Sequence, residues 1–404
     1  MKKLLLAAAL GTTALSMGTA AQAEELHFIM CGGEVREADQ KVIDQFIADN
    51  DGVTVNMEAV PWGTCQDKSL TLAAAGDPPS IAYMGSRTLK QLAENDLVVP
   101  VEISEADQGN YQPGVLKTVS HIGKFWGFPH AFSTKALFIN CGIVKEAGLE
   151  CKGPKTWDEM YSMAATIKEK TGIAGVGLTG KDFDNTMHQF LNYLYSNGGQ
   201  VIDPATNEIT LNSPNTVQTL EFYGKLAEVA QEGPTAFERT QLRDLLNDKK
   251  IAMYIDGPWG RGQHSEEVQA NEIVVPIPAG PMGTSGTLLI TDSIAVFNGS
   301  GHEDLAMDLA RRLTSGEAQY DLDSSWGLTP ILKYENLGIT EPYYSDDYWK
   351  VFVDPIATGG PEPLFVEYKS LQTVINSMIQ GILLKEDTAE NLVAIAAEEL
   401  EEIK

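Results

Sequence analysis

The stretch KIAMYIDGPWG, Lys250 to Gly260, runs an apolar segment into Asp256 and then into Gly257, Pro258 and Trp259. The segment reads as a buried strand, and the Gly-Pro pair as a turn at its carboxyl end. That is the side of an open α/β sheet on which ligands lie, so Trp259 is a candidate contact. Catalytic chemistry has less to stand on. The sequence holds no G-x-x-x-x-G-K-[ST], H-E-x-x-H or G-x-S-x-G, so phosphoryl transfer, zinc peptidase and serine esterase chemistry lack their usual residues. GVGLTG, with Gly175, Gly177 and Gly180, matches a dinucleotide fingerprint in letters only. A real fingerprint opens its sheet and is followed about 20 residues on by an acid at a strand end, whereas that position here falls in the turn SNGGQ. The six histidines, His27, His121, His130, His188, His264 and His302, never recur at i, i+3 or i, i+4, and no metal or cofactor is expected. Of these only His130, beside Pro129 in an extended stretch, is a candidate ligand contact. A pair of carboxylates for glycoside hydrolysis stays open, because the fold alone sets their separation.

The chain as a whole narrows the setting. Lys2 and Lys3, the apolar run Leu4 to Leu10, and the ending Ala21-Gln22-Ala23 have the form of a secretory signal peptide over residues 1–23. The expected location is therefore the periplasm, with the leader cleaved. No other stretch has the roughly 20 consecutive apolar residues of a membrane helix. The formal net charge is −27, with 56 acids against 29 lysines and arginines, which argues against a nucleic-acid partner. The length of 404 residues exceeds the roughly 250 to 300 at which single cores stop growing, so two cores are expected. Cys31, Cys65, Cys141 and Cys151 are disulfide candidates in an exported protein, with three pairings open. Cys31 and Cys65 follow what read as neighbouring strands, and Cys141 and Cys151 bracket a short helix.

From Leu26 the pattern alternates. Strand Leu26 to Met30, helix Glu37 to Asn50, strand Val53 to Val60, helix Cys65 to Ala75 and strand Ile81 to Met84 predict a parallel sheet with helical crossovers. Helix starts are marked at Thr156, followed by Trp157, Asp158 and Glu159, and at Ser213 with Pro214 behind it. Trp157 is expected in the core. Leu288 to Phe297, interrupted by Thr291-Asp292-Ser293, reads as a strand crossing between the two halves.

Several long motifs, in order, carry a family resemblance: LAAAGDPPSIAYMGSRTLKQLAENDLVVPV, FINCGIVKEAGLECKGPKTWDEM, KIAMYIDGPWG, PIPAGPMGTSGTLLITDSIAVF and GHEDLAMDLARRLTSGEAQ. Together they resemble the extracellular solute-binding proteins of ABC-type carbohydrate importers, the maltose-binding-protein-like family 1, over nearly the whole chain after the leader. The resemblance implies an α/β fold of two lobes around a cleft, with mostly parallel sheets. It places 24–132 with 292–332 in lobe 1 and 136–288 with 336–404 in lobe 2, with hinges near 133–135, 289–291 and 333–335. It also implies a monomer that binds a carbohydrate or polyol, delivers it to the transmembrane subunits of a permease, and is not an enzyme. The other readings are an exported carbohydrate-active enzyme and a sugar sensor linked to a chemoreceptor.

Sugars present apolar C–H faces ringed by hydroxyls, so their receptors need aromatic platforms and fixed polar partners. On that basis Trp259, Trp62, Tyr83 and Trp326 are the expected aromatic contacts. Gly85, Ser86, His130 and Asp292 are the expected polar ones, and Trp126 is a weaker candidate. After the first strand the chain departs from the common pattern with MCGGEVREADQ, which brings in Glu34 and Arg36. Arg36, with Arg87 and Arg261 near other strand ends, extends the ligand class to anionic sugar derivatives, because a guanidinium pairs a carboxylate or sulfonate bidentately.

Overall fold

The computed structural model describes residues 24–203, 206–339 and 342–404, and the leader expected at 1–23 lies outside them. Strand Glu24–Cys31 is central to the first sheet. Its LHFIMC stretch is buried nearly throughout, as expected for a strand covered by helices on both faces. It pairs in parallel with Val53–Val60 on one side and Ile81–Gly85 on the other. The intervening helices are Glu37–Asp49 and Trp62–Ala74, the latter starting three residues before the expected Cys65. Beyond Ile81–Gly85 the direction reverses. Strand Leu288–Val296 runs antiparallel both to it and to Phe128–Ser133, because it arrives from the other half of the molecule rather than through a helical crossover, which parallel pairing needs.

The second sheet differs more from the expected parallel arrangement. Ala136–Asn140 is flanked by Met253–Asp256 and Glu272–Val275, both antiparallel. Parallel pairing occurs in that half as single bridges, among them Ala174 with Ile251, Val176 with Ala230 and Thr156 with Ala279. Strand directions are thus mixed within an α/β fold.

Two large apolar cores form. The first gathers Phe28, Tyr83, Ile294 and Leu309; the second gathers Ile139, Phe190, Tyr223 and Ile375. Tyr334, expected at a hinge, and Ile339, Tyr343, Tyr344, Val353 and Ile356, expected on the second core, pack on the first. Tyrosines are the reason: the Tyr320 and Tyr334 rings meet edge to face at 5.0 Å, and Tyr320 and Tyr343 at 5.8 Å. Phe352, in the same segment, instead packs with Phe138 and Tyr254 from the second sheet.

The expected helix caps form. The Thr156 hydroxyl accepts the Glu159 N–H, and the Ser213 hydroxyl accepts the Thr216 N–H with Pro214 in the first helical turn. Trp157 is buried and stacked on Phe222 at 4.3 Å. Disulfides join Cys31 to Cys65 and Cys141 to Cys151. The glycines of GVGLTG are packing positions: a Cβ on Gly175 would lie 2.3 Å from the Ala164 backbone, and one on Gly177 2.7 Å from Ile251 Cδ1.

Candidate functional site

A cavity of about 400 Å³ opens between the two cores. Trp62, Arg87 and Asp292 reach it from the first sheet's side, and Lys135, Asp184, His188 and Arg239 from the crossing and the second core; Trp259 follows a strand of the second sheet, with its ring packed against the first core. A larger hollow of about 970 Å³ is lined by residues of the first core's side alone, among them Val101, Tyr111 and Leu332. The smaller cavity is the candidate site because the buried charges of both halves converge there.

Trp259 is set by its own turn. Strand Met253–Asp256 ends beneath it, and the indole folds back so closely that a Cβ on Gly257 would lie 2.4 Å from the ring. Only glycine leaves that space. The Tyr348 hydroxyl donates to the Pro258 carbonyl at 2.6 Å and holds the turn from outside. Trp259 is half-buried, with Lys135 Nζ 4.1 Å and Arg239 Cζ 5.4 Å from its ring centroid. Asp256 accepts from Arg239 Nη1 at 2.7 Å, from the Gly257 N–H at 2.8 Å and from the Tyr254 hydroxyl at 2.8 Å.

On the opposite wall Trp62 opens helix Trp62–Ala74 and meets Tyr83 edge to face at 5.7 Å. Arg87 follows strand Ile81–Gly85 in a short 3₁₀ turn and folds back over Gly85, where a Cβ would lie 2.3 Å from the guanidinium. Its Nη2 and Nε donate to Asp184 Oδ2 at 2.8 and 3.1 Å, and its Nη1 to Asp292 Oδ1 at 3.5 Å. Asp184 begins helix Asp184–Ser196 of the second core, so this buried ion pair joins the two walls. Burial pulls the Arg87 pKa down, but the carboxylates of Asp184, Glu362 and Asp292 outweigh it and hold the guanidinium charged.

The family model for bacterial extracellular solute-binding proteins matches residues 32–320. The chain belongs to that family. A putative binding protein of Brucella abortus is 24% identical over 382 residues, covering 93% of this chain and 92% of its own. An ABC transporter solute-binding protein of Thermotoga lettingae, solved with α-D-tagatose, superposes with a TM-score of 0.84 at 24% identity, covering 94% of this chain and 99% of that one. A maltose-bound binding protein of T. maritima gives a TM-score of 0.80 at 22% identity, over 95% and 100% of the two chains.

In this solute-binding protein Trp259, Trp62, Arg87 and Asp292 of the expected contacts line the cavity. The others lie elsewhere. Tyr83 is buried and donates its hydroxyl to Asp292 Oδ2 at 3.0 Å, beneath the wall. Ser86 is buried with its Oγ 2.6 Å from Ser293 Oγ. His130 is fully buried, its Nε2 2.9 Å from Asp39 Oδ1. Gly85 serves to admit Arg87. Arg36 is buried over the Tyr83 ring at 4.2 Å and near Trp326 at 5.0 Å; neither it nor Trp326 lines the cavity. Glu34 is exposed and also outside the lining, as is Arg261, whose guanidinium covers Tyr348 at 4.9 Å. Trp126 is buried, its indole N–H donating to the His121 carbonyl. Lys135, Asp184, His188 and Arg239 had no local signal in the sequence. An acid opening a helix, as at Asp184, is the one feature that could have flagged any of them.

Behind Arg87, Glu362 Oε1 lies 2.6 Å from His188 Nε2 and accepts the Tyr368 hydroxyl at 2.6 Å. Burial pushes the Glu362 carboxyl up, but Arg87, His188 and Tyr368 together bring it down to about 2. A carboxyl depressed below its unfolded value stabilises the fold above that value, and the contribution is lost as pH falls toward the folded one. Denaturant unfolding between about pH 5 and about pH 2 is thus expected to show a steep acid limb. Glu362→Gln should flatten it; an unchanged acid limb would contradict this arrangement.

Proposed function

We propose that this protein captures a sugar or sugar derivative in the periplasm, between two lobes built on the two cores, and presents it to the transmembrane subunits of an ABC importer. The supporting observation is the cavity, lined by Trp62 after a strand of the first sheet, by Trp259 after a strand of the second, and by the Arg87–Asp184 pair that joins the two halves. Two indoles lining one cavity can face the C–H surfaces of a pyranose or furanose, while the charged groups take its hydroxyls. The family match to solute-binding proteins and the tagatose and maltose held by fold neighbours point the same way. Segments 133–135 and 289–291 join the lobes, and the chain returns to the second core between Ile356 and Phe365 rather than near 333–335. A ligand touching both walls favours the closed arrangement by its differential affinity.

The role is binding rather than catalysis. The carboxylates at the cleft are engaged: Asp184, Asp256, Asp292 and Glu362 are each held by a cation or a tyrosine hydroxyl, and Glu238 Oε2 accepts from the Thr240 N–H and the Asn185 amide, which argues against a free general acid or base. The protein works as a monomer after its leader is removed.

The test is thermal melting of the protein, unfolded and refolded to strip carried ligand, against neutral sugars, polyols, sugar acids and sulfonated sugars as mono- and disaccharides. A native-state ligand raises the melting temperature by mass action, by about 2.7 kcal/mol of stability at one hundred times its Kd. A rise confined to carbohydrates supports the reading. A set that leaves the melt unmoved, or product released from glycosides, overturns it.

A further inference from the structure

Lys135 is the anomalous charge of the cleft wall. It sits in the short crossing between strands Phe128–Ser133 and Ala136–Asn140, is 6% exposed and lines the cavity. Its ammonium carries three N–H donors, of which one meets Ser133 Oγ at 3.2 Å. Among the described residues, the buried lysine and arginine side chains are Arg36, Arg87 and Lys135. Arg36 has Asp39 and Arg87 has Asp184, but Lys135 makes no ion pair.

The carboxylates around it are already engaged. Asp256 holds Arg239, Asp184 and Asp292 hold Arg87, and Glu362 is bound by His188 and Tyr368. Arg239 shares the Trp259 ring with Lys135 and spends its Nη1 on Asp256. Two cations therefore converge on one indole at the cavity surface, and one of them lacks a counter-ion. A buried ammonium in that state is costly unless something charged completes its shell.

We infer that the ligand supplies the missing charge: the cleft takes a sugar acid or a sulfonated sugar, its carboxylate or sulfonate held by Lys135 and Arg239 beside Trp259. The inference rests on the sugar-capture reading above and deepens it. Arg239 offers a planar fork and Lys135 a compact charge, a pair suited to an oxyanion with two or three equivalent oxygens.

A pH signature accompanies the geometry. Burial, followed by the charge of Arg239, pushes the Lys135 ammonium down to about 7, against the pull of Asp256, Asp292 and Glu362. A bound anion favours the charged form and raises that value. Affinity for an acid is therefore full below about pH 7 and declines as pH rises through it. Lys181, His188, Glu238, Arg239, Asp292 and the Arg87–Asp184 pair line the same cavity, so the neutral parent sugar is the control for their titration.

The experiment is calorimetric titration of the refolded protein with glucuronate, galacturonate, sulfoquinovose and their disaccharides, each against its neutral parent, at about pH 6 and about pH 8.5. At least one acid is expected to bind about ten- to a hundredfold more tightly than its parent at the lower pH. That preference should shrink at the higher pH. Lys135→Met should remove it while leaving the ligand-free melt unchanged or higher, since an unpaired buried charge is removed; Lys135→Arg should retain it. Which acid binds separates a carboxylate ligand from a sulfonate one. Neutral parents that bind as tightly as their acids, or a preference that survives Lys135→Met, overturn the inference and leave sugar capture standing. Binding by neither acids nor neutral sugars overturns both.

Discussion

Replacing Arg87 with methionine is expected to lower the unfolding free energy by about 3–5 kcal/mol. The variant keeps the buried volume of the side chain but strips the cation from Asp184, Asp292 and Glu362, which lie 2.8, 3.5 and 3.8 Å from guanidinium nitrogens. Removing one partner of a buried ionic cluster leaves the others charged without compensation, and that loss exceeds what the intact pairs contribute over an apolar filling. Arg87→Lys should recover only part of it, because an ammonium cannot reach three carboxylates on three elements in one plane. Equilibrium denaturation checks both variants. A loss under about 1 kcal/mol for the methionine variant, the range of solvent-exposed pairs, would mean that the cluster is wet in solution and that Arg87 does not tie the walls together.

Trp259→Ala is expected to weaken ligand binding by about a hundredfold or more, the usual consequence of truncating a central aromatic anchor. The indole is a wall of the cavity and also the surface over which Lys135 and Arg239 are placed, so its loss frees both cations as well as removing contact area. Stability should fall less than in a core truncation, since the ring is only half-buried. Calorimetry with whichever sugar gives the largest melting shift reads the affinity directly. An affinity within about threefold of wild type would remove Trp259 from the site.

The parts of this site that were legible in the sequence are those with a local signature. Trp259 stands out because an apolar run, an acid, Gly and Pro precede it, and Gly257 has the steric role that this order suggests. The Thr156 and Ser213 caps are read from four-residue windows. Tyr83 and His130 misled because they sit in strands close to the cleft. Those strands are covered on both faces, so the phenol and imidazole turn inward and take Asp292 and Asp39 as partners instead of a ligand. Lys135, Asp184 and Arg239 were illegible for a different reason. Their meaning lies in neighbours distant along the chain, as with Arg87 and Asp184, which are 97 residues apart, and nothing in FSTKALF, KDFDN or FERTQ marks that. Strand direction was hidden similarly: the alternation of elements does not reveal that Leu288–Val296 enters the first sheet from the other half.

Ligand held between two lobes is the central claim, and small-angle X-ray scattering of the refolded protein, free and saturated with its best-binding sugar, tests it most directly. The expected result is a smaller radius of gyration on saturation, as the walls bearing Trp62 and Trp259 close on the ligand. An unchanged radius, with calorimetry showing the sugar bound, would contradict capture by closure of this cleft.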